Sequence, residues 1–250
     1  MEYQETKTFA QELQEIKKDI ELYLFHRRYQ RMAEGKFSWE DRLWTFFTKT
    51  YVRAIVHWRQ IAKRSIDIAV AIIGLIVSFP LAVLIMAAIK LDSPGPIFLR
   101  QSRVGFKGKT FSMIKFRSMR HDAEVHTGPV WAKESDPRVT RVGNFIRKTH
   151  LDEIPQLLNV LKGEMSLVGP RPERPHFVHE FRQVIPHYDR RLCVKPGITG
   201  LAQVRQGYDE TLEDVKRKLK YDTLYIRNMC PLLDLKVLSM TLIAVALGTK

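Results

Sequence analysis

No charged residue occurs between Ile68 and Ile89, and nearly every side chain in that run is apolar. A continuous helix of that length can cross a bilayer, so a transmembrane span is the first expectation. Two features point elsewhere. Pro80 sits near the middle, where its missing N–H removes a rung of the helical ladder and favours a kink or a turn. Each half then holds about twelve residues at about 1.5 Å apiece, roughly 18 Å against a hydrocarbon core of about 30 Å. The second feature is flanking charge: Arg42, Lys49, Arg53, Arg59, Lys63 and Arg64 precede the run, and Lys90, Arg100, Arg103, Lys107 and Lys109 follow it. Under the positive-inside rule, cations at both flanks place both on the cytoplasmic side, as in a re-entrant helix that enters one leaflet, bends at Pro80 and returns. A Pro-kinked spanning helix is the competing arrangement.

The formal net charge of +14 calls for an anionic partner: nucleic acid, an acidic membrane surface or a phosphorylated substrate. Nucleic-acid binding rests on charge alone, and the apolar run argues against it. Cys193 and Cys230 show neither a disulfide framework nor metal-ligand spacing and are read as structural, in a reducing compartment. The polar, acidic start of the chain does not read as a signal peptide.

Periodicity divides the chain further. Leu13, Ile16, Ile20, Tyr23 and Leu24 line one side of a helix from about Thr6 to Ala33, which Gly35 stops. Ser38 and Asp41 open a second helix to about Ile61, whose Trp39, Trp44, Phe46, Phe47, Tyr51 and Trp58 suit either the headgroup level of a membrane or a packed helical hairpin. Ser93-Pro94-Gly95-Pro96 is a turn, and Ile97 to Arg103 and Lys109 to Phe116 read as strands of a hairpin joined around Gly105 and Gly108. A loop-rich stretch from His121 to Val139 leads to a basic helix from Thr140 to Thr149. Val194 to Gly200 is turn-rich. Thr211 to Arg227 reads as a charged helix with Glu213–Arg217 and Asp214–Lys218 pairs on a solvated face. From Pro231 the last apolar segment is too interrupted by Asp234 and Lys236 to span; it reads as a helix packed on the core or lying on a membrane.

Chemistry concentrates at Leu151-Asp152-Glu153-Ile154-Pro155-Gln156. Ile154, Leu157, Leu158 and Leu161 form one apolar helix face, with Asp152 as the expected N-cap, Pro155 in the first turn and Gly163 as the stop. At a helix N-terminus Asp152 is expected to be ionised, and is available as a nucleophile or metal ligand as well as a cap. Lys115, Arg117, Arg147, Arg171 and Lys195 recur beside turns and helix starts, where they suit a diphosphate; with Mg²⁺, the acidic pair could bind a nucleotide diphosphate among them. No Walker loop, Gly-x-Gly-x-x-Gly fingerprint or zinc motif is present. His121, His126 and His150 form no recognisable triad and are read as loop or packing residues.

In order along the chain stand Lys63-Arg64-Ser65-Ile66-Asp67 leading into the apolar run, Lys115-Phe116-Arg117-Ser118-Met119, Leu151-Asp152-Glu153-Ile154-Pro155-Gln156, Gly169-Pro170-Arg171-Pro172 and Lys195-Pro196-Gly197-Ile198-Thr199-Gly200. From Lys63 to Leu247 the chain resembles the bacterial sugar transferases, the monotopic phosphoglycosyl transferases that move a sugar 1-phosphate from a nucleotide sugar to polyprenyl phosphate. The resemblance implies an α+β, mainly helical fold: a re-entrant membrane helix and a small cytoplasmic catalytic domain with a short β-hairpin and amphipathic interfacial helices. The divisions are then 1–60, a membrane-associated helical extension; 61–91, the re-entrant helix; and 92–250, the transferase domain. The resemblance also implies Asp152 as nucleophile on the β-phosphate of a UDP-sugar, UMP release, and undecaprenyl phosphate as acceptor. Glu153 would bind or position Mg²⁺ beside Asp152, and Arg147 and Arg171 would hold phosphate. It implies residence in the bacterial inner membrane with the active site on the cytoplasmic face. Where many members carry Ser-Pro at the bend, this chain has Phe79-Pro80 with Ser78 one place earlier. Membrane association or homo-oligomer contacts are the roles open to residues 1–60. A non-catalytic basic scaffold that recruits glycan-assembly partners is the alternative function. It explains the charge but not the order of the motifs.

Overall fold

The computed structural model describes residues 39–123, 136–206 and 211–247. The expected helix from Thr6 to Ala33, the cap at Ser38, and His126 with most of the loop-rich stretch around it lie outside those residues. The chain divides into two compact units, 1–62 and 63–250.

Helix α1, Trp39–Asp92, is a single helix of 54 residues that fuses the expected aromatic helix with the apolar run. Pro80 lies inside it, so of the kink or turn expected at Pro80 the turn does not form. The physical reason is economy of backbone bonds. Pro80 leaves one carbonyl, that of Ile76, without its i+4 donor, whereas a turn would free several groups at two new helix ends. Among the described residues, one helix is long and apolar enough to cross a membrane, the part of α1 from His57 to Asp92.

Within the second unit, α1 packs along its length. Asp67, Ala71, Ile85 and Ile89 are buried, and Gly74, Ser78 and Ala82 are half-buried between them, a seam at three- and four-residue steps. Ala71 joins a core with Met113, Val160, Met165, Val168, Tyr225 and Val237. Ile85 and Ile89 join another with Phe116 and Ile146. Ile72, Ile73, Ile76, Val77, Phe79 and Leu84 are exposed on the opposite side. Both ends of the apolar run are tied to the same unit. Lys63 Nζ donates to the Val168 carbonyl at 3.1 Å and pairs with Asp234 at 2.7 Å, while at the far end the Asp92 carboxylate accepts from the Val142 amide at 3.0 Å.

Strands β1, Phe98–Val104, and β2, Thr110–Phe116, form the expected antiparallel hairpin, in register from Phe98 opposite Phe116 to Val104 opposite Thr110. Gly108, at φ 76°, completes the turn. Helix α2, Arg141–Lys148, is the expected basic helix, capped by the Thr140 side chain, which accepts from the Gly143 amide. His150 at φ 56° then turns the chain into a 3₁₀ turn, Leu151–Glu153, and helix α3, Gln156–Lys162, which Gly163 ends at φ 83°. Asp152 is therefore not the N-cap: it sits inside the 3₁₀ turn, and Pro155 precedes α3.

Strand β3, Ser166–Val168, pairs in parallel with β4, Gly197–Thr199, within the stretch expected to be all turn. The two chains come so close that a Cβ on Gly197 would run into the amide nitrogen of Gly169, which is why glycine stands there. The pair sets the Gly-Pro-Arg-Pro turn beside Lys195-Pro196. Helix α4, Pro175–Val184, follows that turn, and the short α5, Leu201–Arg205, follows β4. Helix α6, Leu212–Asn228, opens with a Thr211/Asp214 capping box, and α7, Pro231–Leu247, follows it. The expected i,i+4 pairs of α6 are replaced. Glu213 pairs with Lys216 at 2.6 Å and Asp214 lies 3.8 Å from Arg217, while Lys218 and Asp222 turn inward and are buried. On α7, Val237 is fully buried and Leu232, Leu235 and Leu242 are exposed.

Candidate active site

The site is built by docking α3 on the hairpin. Asn159 is fully buried; its side-chain oxygen accepts from the Ile114 amide at 3.0 Å and its amide donates to the Ser112 carbonyl at 2.8 Å. That bolt fixes the 3₁₀ turn against β2, and Lys115, next to Ile114, reaches Glu153 Oε1 at 2.7 Å. From the other side Arg171 Nη2 reaches the same oxygen at 2.6 Å. Three separate sequence segments thus meet at one carboxylate.

Asp152 is treated differently. It is buried, stands 4.0 Å from Lys115 Nζ, and accepts no hydrogen bond from any described residue. Burial pushes its carboxyl above the usual range and the Glu153 charge adds to this, against the pull of Lys115, Arg171 and Arg147. Glu153 moves the opposite way: burial works against its charge, but Arg171 and Lys115 outweigh that and hold it below the usual range. Burial lowers Lys115, and the Glu153 charge raises Arg171. The expected ionisation of Asp152 by a helix dipole is therefore not the governing effect. The two adjacent carboxylates therefore sit in opposed environments: Glu153 is an anion fixed between two cations, and Asp152 stands beside the same cations with no hydrogen bond from a described residue.

The remaining expected residues divide. Arg147 is near enough to act on the Asp152 charge, and no hydrogen bond joins its guanidinium to a described residue. Arg117 is buried and spent on backbone: it donates to the carbonyls of Ser93 at 2.6 Å and Pro94 at 3.0 Å, locking the exit of α1. Lys195 lies with Arg64 over Gly163 at the far end of α3 from the acidic pair, within 3.6 Å of where a Gly163 Cβ would stand. The structure therefore gathers Lys115, Asp152, Glu153 and Arg171, with Arg147 nearby, and leaves Arg117 and Lys195 outside. Ser78 Oγ is buried with no partner among the described residues, so no hydrogen bond from it supports a bend at Pro80. His121 and His150 are exposed. Sequence reading missed Asn159, which falls off the expected apolar face of Ile154, Leu157, Leu158 and Leu161; in the structure α3 buries Gln156, Asn159 and Val160 while Leu158 is exposed. It also missed Gln156, which is buried one turn after Asp152 with Nε2 unpaired among the described residues. No group of three or more His, Cys, Asp or Glu side chains gathers among the described residues.

Residues 58–248 match the family model described as Bacterial sugar transferase. The chain belongs to the bacterial sugar transferase family. This family member is 45% identical over 186 residues to the UDP-N-acetylgalactosamine-undecaprenyl-phosphate N-acetylgalactosaminephosphotransferase of Aeromonas hydrophila, covering 74% of the chain and 44% of that relative. It is 44% identical over 186 residues to the UDP-glucose:undecaprenyl-phosphate glucose-1-phosphate transferase of Escherichia coli strain K12, covering 73% of the chain and 39% of that protein. It is also 45% identical over 199 residues to the galactosyl transferase CpsE of Streptococcus agalactiae, covering 76% and 43% respectively. The sugar transferase chain thus spans less than half the length of these relatives.

Proposed function

We propose that this protein transfers a sugar 1-phosphate from a UDP-sugar to undecaprenyl phosphate in two displacements at phosphorus, as the first membrane step of a polysaccharide or glycoconjugate assembly. The observation that carries the reading is the divided acidic pair, with Glu153 clamped between Lys115 and Arg171 and Asp152 left open beside them. In the first step an Asp152 carboxylate oxygen attacks the sugar-bearing phosphorus. The bond from that phosphorus to the bridging oxygen breaks, and UMP leaves with the oxygen and its electron pair. In the second step a phosphate oxygen of undecaprenyl phosphate attacks the same phosphorus and breaks the Asp152 oxygen–phosphorus bond, restoring the carboxylate. No proton is needed to balance either step. Lys115, Arg171 and Arg147 offset charge on the transferring group, a preorganised arrangement because Glu153 holds two of them before substrate arrives.

Mg²⁺ fits this donor set. Asp152 has both oxygens free of hydrogen bonds from described residues, and Glu153 Oε2 has only a 3.5 Å contact to Arg171. One or two carboxylates with substrate phosphates and waters is the usual environment of that ion. Asp152 and Glu153 would hold it, and when bound it would neutralise diphosphate charge.

The membrane arrangement we propose is monotopic, on the cytoplasmic face of the bacterial inner membrane. Support comes from the apolar run of α1, whose two ends, near Lys63 and at Asp92, are fixed to one polar unit while its apolar side is exposed. A spanning helix would need those ends on opposite sides of the hydrocarbon. The scaffold alternative leaves the clamped pair without a task. The sugar stays open, since relatives of nearly equal identity are named for N-acetylgalactosamine, glucose and galactose. Purified protein given undecaprenyl phosphate and UDP-glucose, UDP-galactose or UDP-N-acetylgalactosamine is expected to release UMP with at least one donor, only when Mg²⁺ is present. Absence of UMP with a wider UDP-sugar panel would overturn the proposal.

A further inference from the structure

Behind Arg171 lies a second set of charges that the proposed chemistry does not use. Arg191, 4% exposed, donates from Nη2 to the Arg171 carbonyl at 2.8 Å and from Nη1 to the Tyr188 hydroxyl at 2.7 Å, and pairs with buried Asp222 at 2.9 Å. Arg103 donates to the next carbonyl, Pro172, at 2.9 Å, and the Val104 amide donates to the one after it, Glu173, at 2.9 Å. The Glu173 side chain in turn faces Lys218 at 3.2 Å and Arg103 at 3.6 Å. The three consecutive carbonyls of the Arg171-Pro172-Glu173 turn are therefore each held, the first by Arg191 of the 3₁₀ turn Tyr188–Cys193 and the other two by Arg103 and Val104 of β1.

Burying this many charges is a poor route to stability, because desolvation cancels most of the attraction. It does fix a backbone in one place. Arg191 and Asp222 come from the 3₁₀ turn Tyr188–Cys193 and from α6, far in sequence from the turn they hold. Arg191 reaches the segment that carries the Arg171 side chain through the Arg171 carbonyl, to which it donates.

We infer that Arg191 and Asp222 are positioning residues, which hold the backbone of Arg171 so that its guanidinium meets Glu153 at the reacting centre. The inference rests on the proposed transferase reading for its kinetic consequence, but not for its structural one. A planar guanidinium fork aimed at a carboxylate tolerates little displacement of its own Cα, so loosening the turn misaims the fork without removing any group that touches substrate.

The test is a double-mutant cycle between Asp222→Asn and Arg171→Lys, read with full-length protein in mixed micelles. Asp222→Asn alone is expected to lower kcat/KM about tenfold, chiefly in kcat. In the Arg171→Lys background, where the fork is already lost, the same change is expected to cost less than about twofold. An equal loss in both backgrounds would overturn the inference, because the network would then act on the fold in general. If Asp222→Asn fails to fold, Tyr188→Phe removes only the hydroxyl that accepts from Arg191, and the same cycle applies. A second readout does not need turnover: exchange of the Arg171 and Glu173 backbone amides with solvent is expected to be at least about tenfold faster in folded Asp222→Asn or Tyr188→Phe than in wild type. Unchanged exchange there in a folded variant would overturn the inference even if the protein transfers no sugar at all.

Discussion

Arg171 Nη2 lies 2.6 Å from Glu153 Oε1, and that contact joins the Gly-Pro-Arg-Pro turn to the acidic pair, two motifs that sequence alone leaves unconnected. Lys115 takes the same oxygen from the hairpin, so Glu153 is the fixed point on which the two nearest cations converge.

Glu153→Gln removes that point. Two buried cations are left without their anion, a change that costs about 3 kcal/mol or more when one partner of a buried pair is lost. Thermal unfolding is expected to fall accordingly, and kcat/KM to fall at least about a hundredfold as Lys115 and Arg171 lose their aim. The pH dependence has a definite sign. Because the folded protein depresses the Glu153 carboxyl, its stabilising contribution is complete above the unfolded value near 4.5 and is lost as pH falls below it. Denaturant titrations of wild type and Glu153→Gln are expected to converge as pH drops below about 4.5.

Asp152→Asn has the opposite sign on stability. A carboxyl whose folded pKa is raised penalises the folded state once pH exceeds the unfolded value near 3.8, and fully so above the folded value. At neutral pH the amide relieves that penalty, and the variant is expected to be more stable than wild type, on the order of 1 kcal/mol, while losing activity. Paired denaturation curves at pH 7 measure it; a less stable variant would contradict the assignment of Asp152 as the unsatisfied member of the pair.

The hairpin, α2, α6, α7 and the stop at Gly163 were legible because each rests on local periodicity, capping or turn chemistry. The β3–β4 pair was not, since three-residue strands in parallel are made by tertiary contact and their sequences carry only turn signals. At Pro80 the sequence leaves a kink or a turn open, and of the two the turn is excluded by the cost of two new helix ends. Within the site, charge placed beside turns picks out Lys115, Asp152, Glu153 and Arg171, which the structure brings together. The same rule picks out Arg117 and Lys195, which stand apart from that cluster; Arg117 shows why, since a cation next to a turn can equally satisfy the backbone carbonyls that the turn leaves open.

Arg117→Lys tests that distinction. Its fork is spent on the exit of α1, and one ammonium cannot serve the carbonyls of both Ser93 and Pro94 with the same geometry. The melting temperature is expected to fall, with the KM for UDP-sugar of the folded enzyme within about threefold of wild type; Lys195→Ala is expected to leave that KM within about threefold as well. A KM raised tenfold in either variant would return that residue to the substrate site.

Topology is read from single cysteines placed at positions 60 and 100 in a background lacking Cys193 and Cys230. Both are expected to be protected from an impermeant thiol reagent in intact spheroplasts and to react together after lysis. Labelling of one position alone in intact spheroplasts would show that α1 spans the membrane.

The division of labour between the two carboxylates is tested most directly by intact-protein mass after brief incubation with UDP-sugar and Mg²⁺ in the absence of undecaprenyl phosphate. Wild type is expected to gain the mass of one phosphosugar, mapped to Asp152 and discharged on adding undecaprenyl phosphate, while Asp152→Asn gains nothing. Adduct formation at another residue, or UMP release by Asp152→Asn at a rate within tenfold of wild type, would contradict the account.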